Sequence, residues 1–492
     1  MIHTAIALPL LLFLMMAAGG TLLRQAAKPL FTDPITLLIG PALGLSCVTA
    51  AAALAWCAGL PPESSLPLIA AIVVVTFGAT IWMKPSSRAA ATQPTLFKPP
   101  WWDVLASVLL VLIYVFPLLF TAAWMGSGDA PPVFFNVDTP YYLGHVHALM
   151  QSDVYPPTSL SVLGVTKPYH YGVQLSAALF ARVGGLPAHT ALFWVVTPIF
   201  LIGKLAVVWR IATLGARRGM PLWLGLACLL FLVPYPVLGL YQKFAGPFLT
   251  QPLDVIGNLP GFLIEVQQLD TGYPILSDVA GSFLTYLVLL FMIDESLRYR
   301  FAGIALAVGS LPLFKSPFLV PVGIVVGLWV LYQLVAARRF VPFLAAAAAC
   351  LIAFRVAHFT VPPSFTFSVN LNPATHSAVW QDLVSRAFAA GAFLVMVALA
   401  GLLTVTFTGR GTAGRYATAW VLLSAALLIL WLPVFVLVSY VDTSGILREV
   451  PEARQWITPV KYIAPVALAL EMNGIREWGG RFVWAIPKMN VV

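Results

Sequence analysis

The sequence predicts an all-α fold: a polytopic transmembrane helical bundle of about 12–13 spans. Three observations carry that expectation. Of 492 residues, 60% are apolar and only 9% charged, where a soluble domain carries about 25% charged residues. Apolar stretches recur at the length of about 20 residues that crosses a bilayer. Lys and Arg gather in clusters spaced two stretches apart, as placement on one membrane side requires.

Taken in order, the first stretch covers 4–23. Only His3 precedes it, while Arg24 and Lys28 follow. That charge order is expected of a first helix with a cytoplasmic C-terminal end, not of a cleaved signal. Stretches at 35–59 and 66–83 complete an N-terminal three-span unit, 1–83. Residues 84–100, rich in Pro, Ser, Ala and Thr, form a cytoplasmic linker. The core, 101–440, holds spans at 102–124, 190–209, 219–240, 274–293, 301–316, 317–337, 340–360, 387–408 and 417–439. Pro312, Lys315 and Pro317 interrupt 301–337, so this region reads as a broken pair. A C-terminal tail, 441–492, contains a candidate last span at 457–472. Cys47, Cys57, Cys228 and Cys350 all lie inside apolar runs and form no C-x-x-C pair, so they read as small packing residues.

The basic clusters are Arg24/Lys28, Lys84/Arg88/Lys98, Arg210/Arg217/Arg218, Arg298/Arg300, Arg338/Arg339 and Arg410/Arg415. All fall on one side, the cytoplasmic side by the positive-inside bias. The net charge of +9 follows from that bias. No basic run with interleaved aromatics lies outside the spans, which excludes a nucleic-acid partner. Membrane lipids are the expected surroundings, and a bacterial plasma membrane the expected location. The opposite, external side receives the long loops 125–189, 241–273, 361–386 and 440–456. Most acidic residues and histidines sit there. A carrier with a midplane site would instead keep polar groups within its spans.

The first external loop reads FFNVDTPYYLGHVHALMQSDVYPPTSLSVLGVTKPYHYG from Phe134 to Gly172. It predicts a short helix over Tyr141–Gln151, with Asp138 near its N-cap and Pro140 early in the helix. Tyr141, His145 and Leu149 then share a face. Asp138 is either a helix cap or a carboxylate poised at the membrane surface to accept a proton or hold a cation. His145 and His147 read as packing rings beneath the loop or as part of a metal site, although no Cys joins them. Tyr169, His170 and Tyr171 read as an interfacial aromatic belt or as substrate contacts. The apolar stretch 173–186 is short and carries Arg182, which predicts an interfacial or re-entrant helix. The second loop supplies Asp254, Glu265 and Asp270. Lys315 is an ionisable group in a broken span, a functional position by default. Arg448 and Arg454 are placed to meet phosphate or lipid headgroups.

These elements bring the chain to a resemblance. An apolar span, then an external loop with an early Asp, then a short helix along the membrane resembles the GT-C superfamily of polyprenyl-phosphate-dependent glycosyltransferases. The Asp138-Thr-Pro-Tyr-Tyr run and the later Tyr-Pro-Pro and Tyr-His-Tyr-Gly elements carry it, over roughly residues 101–300. The resemblance implies a polyprenyl-phosphate-linked sugar as donor, a lipid or glycan acceptor, and Asp138 as catalytic base or part of the acceptor site. His170, Glu265 or Asp270 would assist. Tyr141, His145, Tyr169 and Tyr171 would line the substrate, and Lys315, Arg448 or Arg454 would neutralise the phosphate. A divalent cation is an alternative counter-charge. Two departures accompany the likeness: three spans precede the acidic motif, and a short tail stands where many GT-C enzymes carry a soluble domain. Two other functions fit the same residues. A transporter or flippase of lipid-linked glycans would line a path with Lys204, Lys315 and Arg355. A non-catalytic membrane assembly protein would let its loop carboxylates diverge.

Overall fold

A computed structural model describes residues 2–24, 34–60, 62–82, 99–126, 139–152, 171–216, 221–231, 276–294, 296–335, 338–360, 366–369, 438–441 and 447–449, with Tyr155, Pro157, Ile463 and Val466. Nearly all of them are helical. The helices are α1 (Ile2–Leu22), α2 (Pro34–Cys57), α3 (Pro62–Trp82), α4 (Trp101–Gly126), α5 (Thr139–Gln151) and α6 (Gly172–Gly184). A π-helical segment, Thr190–Val196, leads into α7 (Thr197–Ala216). There follow α8 (Leu222–Phe231), α9 (Leu276–Ile293), α10 (Arg300–Lys315), α11 (Leu319–Val335) and α12 (Val341–Thr360). Each overlaps an apolar stretch or short helix expected from the sequence. The expected span at 387–408, and most of 417–439 and 457–472, lie outside the described residues.

Among the described residues, two helical stretches are long and apolar enough to cross a membrane: Thr36–Cys57 and Thr190–Leu214. Shorter apolar helices of 10–17 residues surround them, among them Leu8–Leu22, Val279–Ile293 and Val341–Val356.

Helices α1 and α2 pack at backbone distance. Gly40 and Gly44 stand one turn apart on α2, and a Cβ built at Gly19 or Gly44 would run into the Gly40 or Met15 backbone. This is the small-xxx-small device, which lets two helices approach closely enough for their main chains to make dispersion contacts. Helix α7 uses the same device: a Cβ on Gly203 would sit 2.5 Å from the Cβ of Ala42. Phe200 and Phe283 then meet at 5.9 Å between α7 and α9, and Phe200 and Phe314 at 5.4 Å between α7 and α10.

Expected all-α, the chain also carries a small antiparallel sheet in the order β1-β2-β3: β1 (Thr366–Val369), β2 (Val438–Val441) and β3 (Leu447–Glu449). Thr366 stands opposite Val441, and Tyr440 opposite Arg448. The strands are β-branched, aromatic and serine-rich, a composition that suits a pleated surface. A reading tuned to long apolar runs passes over strands this short. The sheet links the two segments assigned from sequence to the external loops 361–386 and 440–456.

Helix α6 corrects the expectation of a helix lying along the interface. Its residues from Gly172 to Ala181 are all buried. It packs against α2, where Thr49 and Ser176 hydroxyls meet at 2.9 Å, and against α10, where a Cβ on Gly172 would lie 2.6 Å from the Phe314 ring. A surface helix would leave one face exposed; this one is enclosed by its neighbours from Gly172 to Ala181.

Candidate functional site: a buried aromatic and polar cluster

The two ends of the bundle differ in chemistry. At one end meet the C-terminal ends of α1, α7 and α9 with the N-terminal ends of α4, α8 and α10. The Arg298 amide donates to the Arg24 carbonyl at 2.9 Å. Arg210 donates through Nε and Nη2 to Asp294 Oδ2 at 3.1 and 2.9 Å. The other Asp294 oxygen accepts from the Ser296 amide and hydroxyl at 3.0 and 2.6 Å. Asp103 accepts from the Leu222 and Trp223 amides, both at 3.0 Å. An anion is thereby held at the start of α8, where orphan N–H groups and the helix dipole favour it. Asp103, Arg210 and Asp294 are all buried, and each carboxylate is matched to donors.

The opposite end is built around α5 and α6. Helix α5 presents Tyr141 and His145 one turn apart, their rings 4.0 Å between centroids. His145 meets Tyr171 edge-on at 5.1 Å. Tyr171 precedes α6 as its N-cap residue and meets Tyr155 at 6.3 Å. Tyr155 lies against Trp56, at the end of α2, at 5.5 Å. Arg182 stands over the Trp56 ring at 5.8 Å and donates to the Leu149 carbonyl of α5 at 3.4 Å. Burial raises both phenols: Tyr155 is held well above the ordinary tyrosine range, with Cys57 and Tyr171 adding to the effect. Tyr171 is raised by burial first and by Tyr141 second. Both hydroxyls therefore stay protonated at neutral pH and act as neutral hydrogen-bonding groups.

Of the residues expected at a site, Tyr141, His145 and Tyr171 come together here. Tyr171 is deeply buried, which removes it from an interfacial belt. His145 is buried while His147 is exposed, so His-x-His does not converge on one metal. Among the described residues, no group of three or more His, Cys, Asp or Glu side chains could hold a metal ion. Lys315 is buried at the C-terminal end of α10, where the chain passes into a 3-10 turn, Ser316–Phe318, before α11. A Cβ on Gly281 of α9 would lie 2.8 Å from the Cβ of Lys315. Arg448 lies in β3. Asp138, Tyr169, His170, Glu265, Asp270 and Arg454 lie outside the described residues. The three cations expected to line a transport path have unlike surroundings. Lys204 is buried and donates to the Tyr114 hydroxyl at 3.1 Å, Lys315 is buried against α9, and Arg355 lies on the exposed side of α12.

Sequence reasoning missed Trp56 and Tyr155 as members of this cluster, and Gln174 as a buried amide on the adjoining helix α6. Gln174 had a signal: it is the lone amide in the apolar run 173–181. Trp56 and Tyr155 are brought in by tertiary packing. Comparison with protein-family models, with curated proteins and with solved structures gives no match for this chain. The fold and the cluster define the class by themselves: a helical protein with membrane-capable helices and a buried polar–aromatic centre at one end.

Proposed function

We propose that the chain is a multi-pass membrane glycosyltransferase of GT-C-like type, moving a sugar from a polyprenyl-phosphate donor to a lipid or glycan acceptor on the extracytoplasmic face. Supporting the multi-pass reading are the apolar faces that its helices turn outward. Val75 on α3 is 70% exposed and Phe354 on α12 is 71% exposed, and Leu12, Leu109 and Leu351 are exposed likewise. In water such faces would associate; in lipid they are the ordinary solvent-facing surface of a helix.

The observation that carries the enzymatic reading is the start of α5. The helix begins at Thr139, one residue after Asp138, and its Tyr141 and His145 rings enter the buried cluster. Asp138 lies outside the described residues and precedes this helix directly in the sequence. In the reaction, Asp138 takes the proton of the acceptor hydroxyl, whose oxygen forms a bond to the anomeric carbon. The bond between that carbon and the phosphate oxygen breaks, its electron pair leaving with the polyprenyl phosphate. Lys315, Arg448 and Arg454 are the cations available to offset that charge, with a divalent cation as alternative. His170, Glu265 or Asp270 assists the base.

Asp138→Asn tests this in proteoliposomes supplied with a panel of polyprenyl-phosphate hexoses. Loss of a general base lowers the rate by a factor of about 100 to 10,000, with helical content and insertion unchanged. Full transfer by Asp138→Asn would remove the catalytic role, and no transfer by the wild type from any donor would remove the reading.

A further inference from the structure

Helix α6 contains a polar group with nothing to do in the fold. Gln174 is 0% exposed, and neither its amide nitrogen nor its amide oxygen has a hydrogen-bond partner among the described residues. It occupies the third position of the helix, from which a Gln ordinarily reaches back to satisfy the N-cap amide. That use is not made, and the N-cap residue Tyr171 supplies no side-chain cap either. A second orphan accompanies it. The Tyr155 hydroxyl, on a residue 8% exposed, also lacks a partner among the described residues. Leaving buried polar groups unmade costs free energy, so a buried amide and a buried phenol in that state are candidates for completion by a ligand.

Their placement is shared. Gln174, Ala178 and Arg182 form an i, i+4, i+8 row on α6. Arg182 reaches α5 and Trp56 from that row, so the row faces α5 and the aromatic cluster. Helical side chains lean towards the N-terminus, which carries the Gln174 amide towards Tyr171, the ring that Tyr155 touches. The groups are uncharged. An amide offers donors and an acceptor on one plane, a phenol offers one of each, and rings stand around them. Charged phosphate finds no counter-ion in Gln174 or Tyr155. A hydroxyl, itself donor and acceptor, matches both, and the C–H face of a sugar ring suits aromatic walls.

Resting on the transferase reading above, we propose that Gln174 and Tyr155 are the recognition pair for the sugar itself, binding its hydroxyls between the rings of Tyr171, Trp56 and His145. Both groups are closed off from water, so binding parts the rings around them.

The test is thermal melting of the full chain in lipid nanodiscs. The probes are octyl glucoside, octyl galactoside and octyl mannoside below their micelle concentrations, with an octyl oligo-oxyethylene ether as sugar-free control. At least one glycoside should raise the wild-type Tm and the ether should not. Gln174→Leu, which removes the orphan, should melt about 1–3 °C above wild type and lose the glycoside shift. Tyr155→Phe should melt at or above wild type and lose most of the shift. Equal shifts with the ether, no shift with any glycoside, or full shifts in both variants would overturn the proposal. So would a Gln174→Leu chain that melts lower or fails to fold, because the amide would then be structural. Failure of the parent reading looks different: a wild type that binds glycoside through this pair but transfers no sugar keeps the pair and loses the transferase.

Discussion

The end of the bundle around Arg210 and Asp294 and the end around Tyr155 and Gln174 both bury polar groups in an apolar chain, but they treat them in opposite ways. At the first, the two described carboxylates have geometric partners: Asp294 holds Arg210 and Ser296, and Asp103 holds the start of α8. At the second, an amide and a phenol stay unmatched among the described residues. A matched buried network fixes one arrangement of helices. Unmatched groups cost stability and are expected where a ligand completes them. Under the proposed function, the contrast separates a structural end from a working end within one bundle.

The largest expected effect that would break this contrast is at the structural end. Asp294→Ala strands the buried Arg210 guanidinium, and removing one partner of a buried ion pair costs about 3–5 kcal/mol. Chemical unfolding in detergent should show that loss, with any residual sugar binding unchanged. A neutral outcome would mean that the pair holds nothing together. Next comes Lys315, buried at the C-terminal end of α10. Lys315→Ala should weaken binding of a polyprenyl phosphate by about 2–5 kcal/mol, measured by lipid-phosphate titration, because its head is removed from water. Lys243→Ala, in the loop 241–273 expected to be watery, should change little, since screening keeps such a contribution small. Equal effects would deny Lys315 a phosphate role.

Smaller effects sharpen the comparison. Asp103→Ala removes the acceptor for two α8 amides and should cost about 1 kcal/mol, the usual worth of a cap, read as a lower Tm. The smallest and most diagnostic effect is in pH. Tyr155 and Tyr171 have raised phenol pKa values in the fold. The unfolded chain therefore loses those protons first as pH rises. Their contribution is complete below about pH 10, the free phenol value, and is lost as pH climbs from there towards the folded values. Unfolding at stepped alkaline pH should show stability falling only past that point, and more weakly for Tyr155→Phe. A fall beginning near neutrality would contradict the burial of these phenols.

Much of the helical framework was legible in the sequence, and the reason is physical. Backbone groups in an apolar setting must be bonded within their own segment, so composition and run length suffice to mark helices such as α2, α7 and α12. The helix α5 was legible because Pro140 and the Tyr141–His145–Leu149 spacing are local signals, and they led to two residues of the cluster. The glycines of α1 and α2 were also readable as a close contact, but only once the partner helix was known. The strands β1, β2 and β3 were not legible, since pairing Thr366 with Val441 depends on residues far apart in the chain.

What the sequence by itself determined is the apolar, helix-forming character of the chain and the local start of α5. Each depends on neighbours within a turn or a span. What only the tertiary structure decided is which polar residues are partnered. Asp294 meets Arg210 across 84 positions, and Asp103 meets Leu222 across 119. Gln174 stands out in the sequence only as the lone amide of an apolar run. It becomes significant only when α6 is enclosed on all sides, because hydrogen-bond satisfaction belongs to the three-dimensional surroundings of a group and not to its place in the chain.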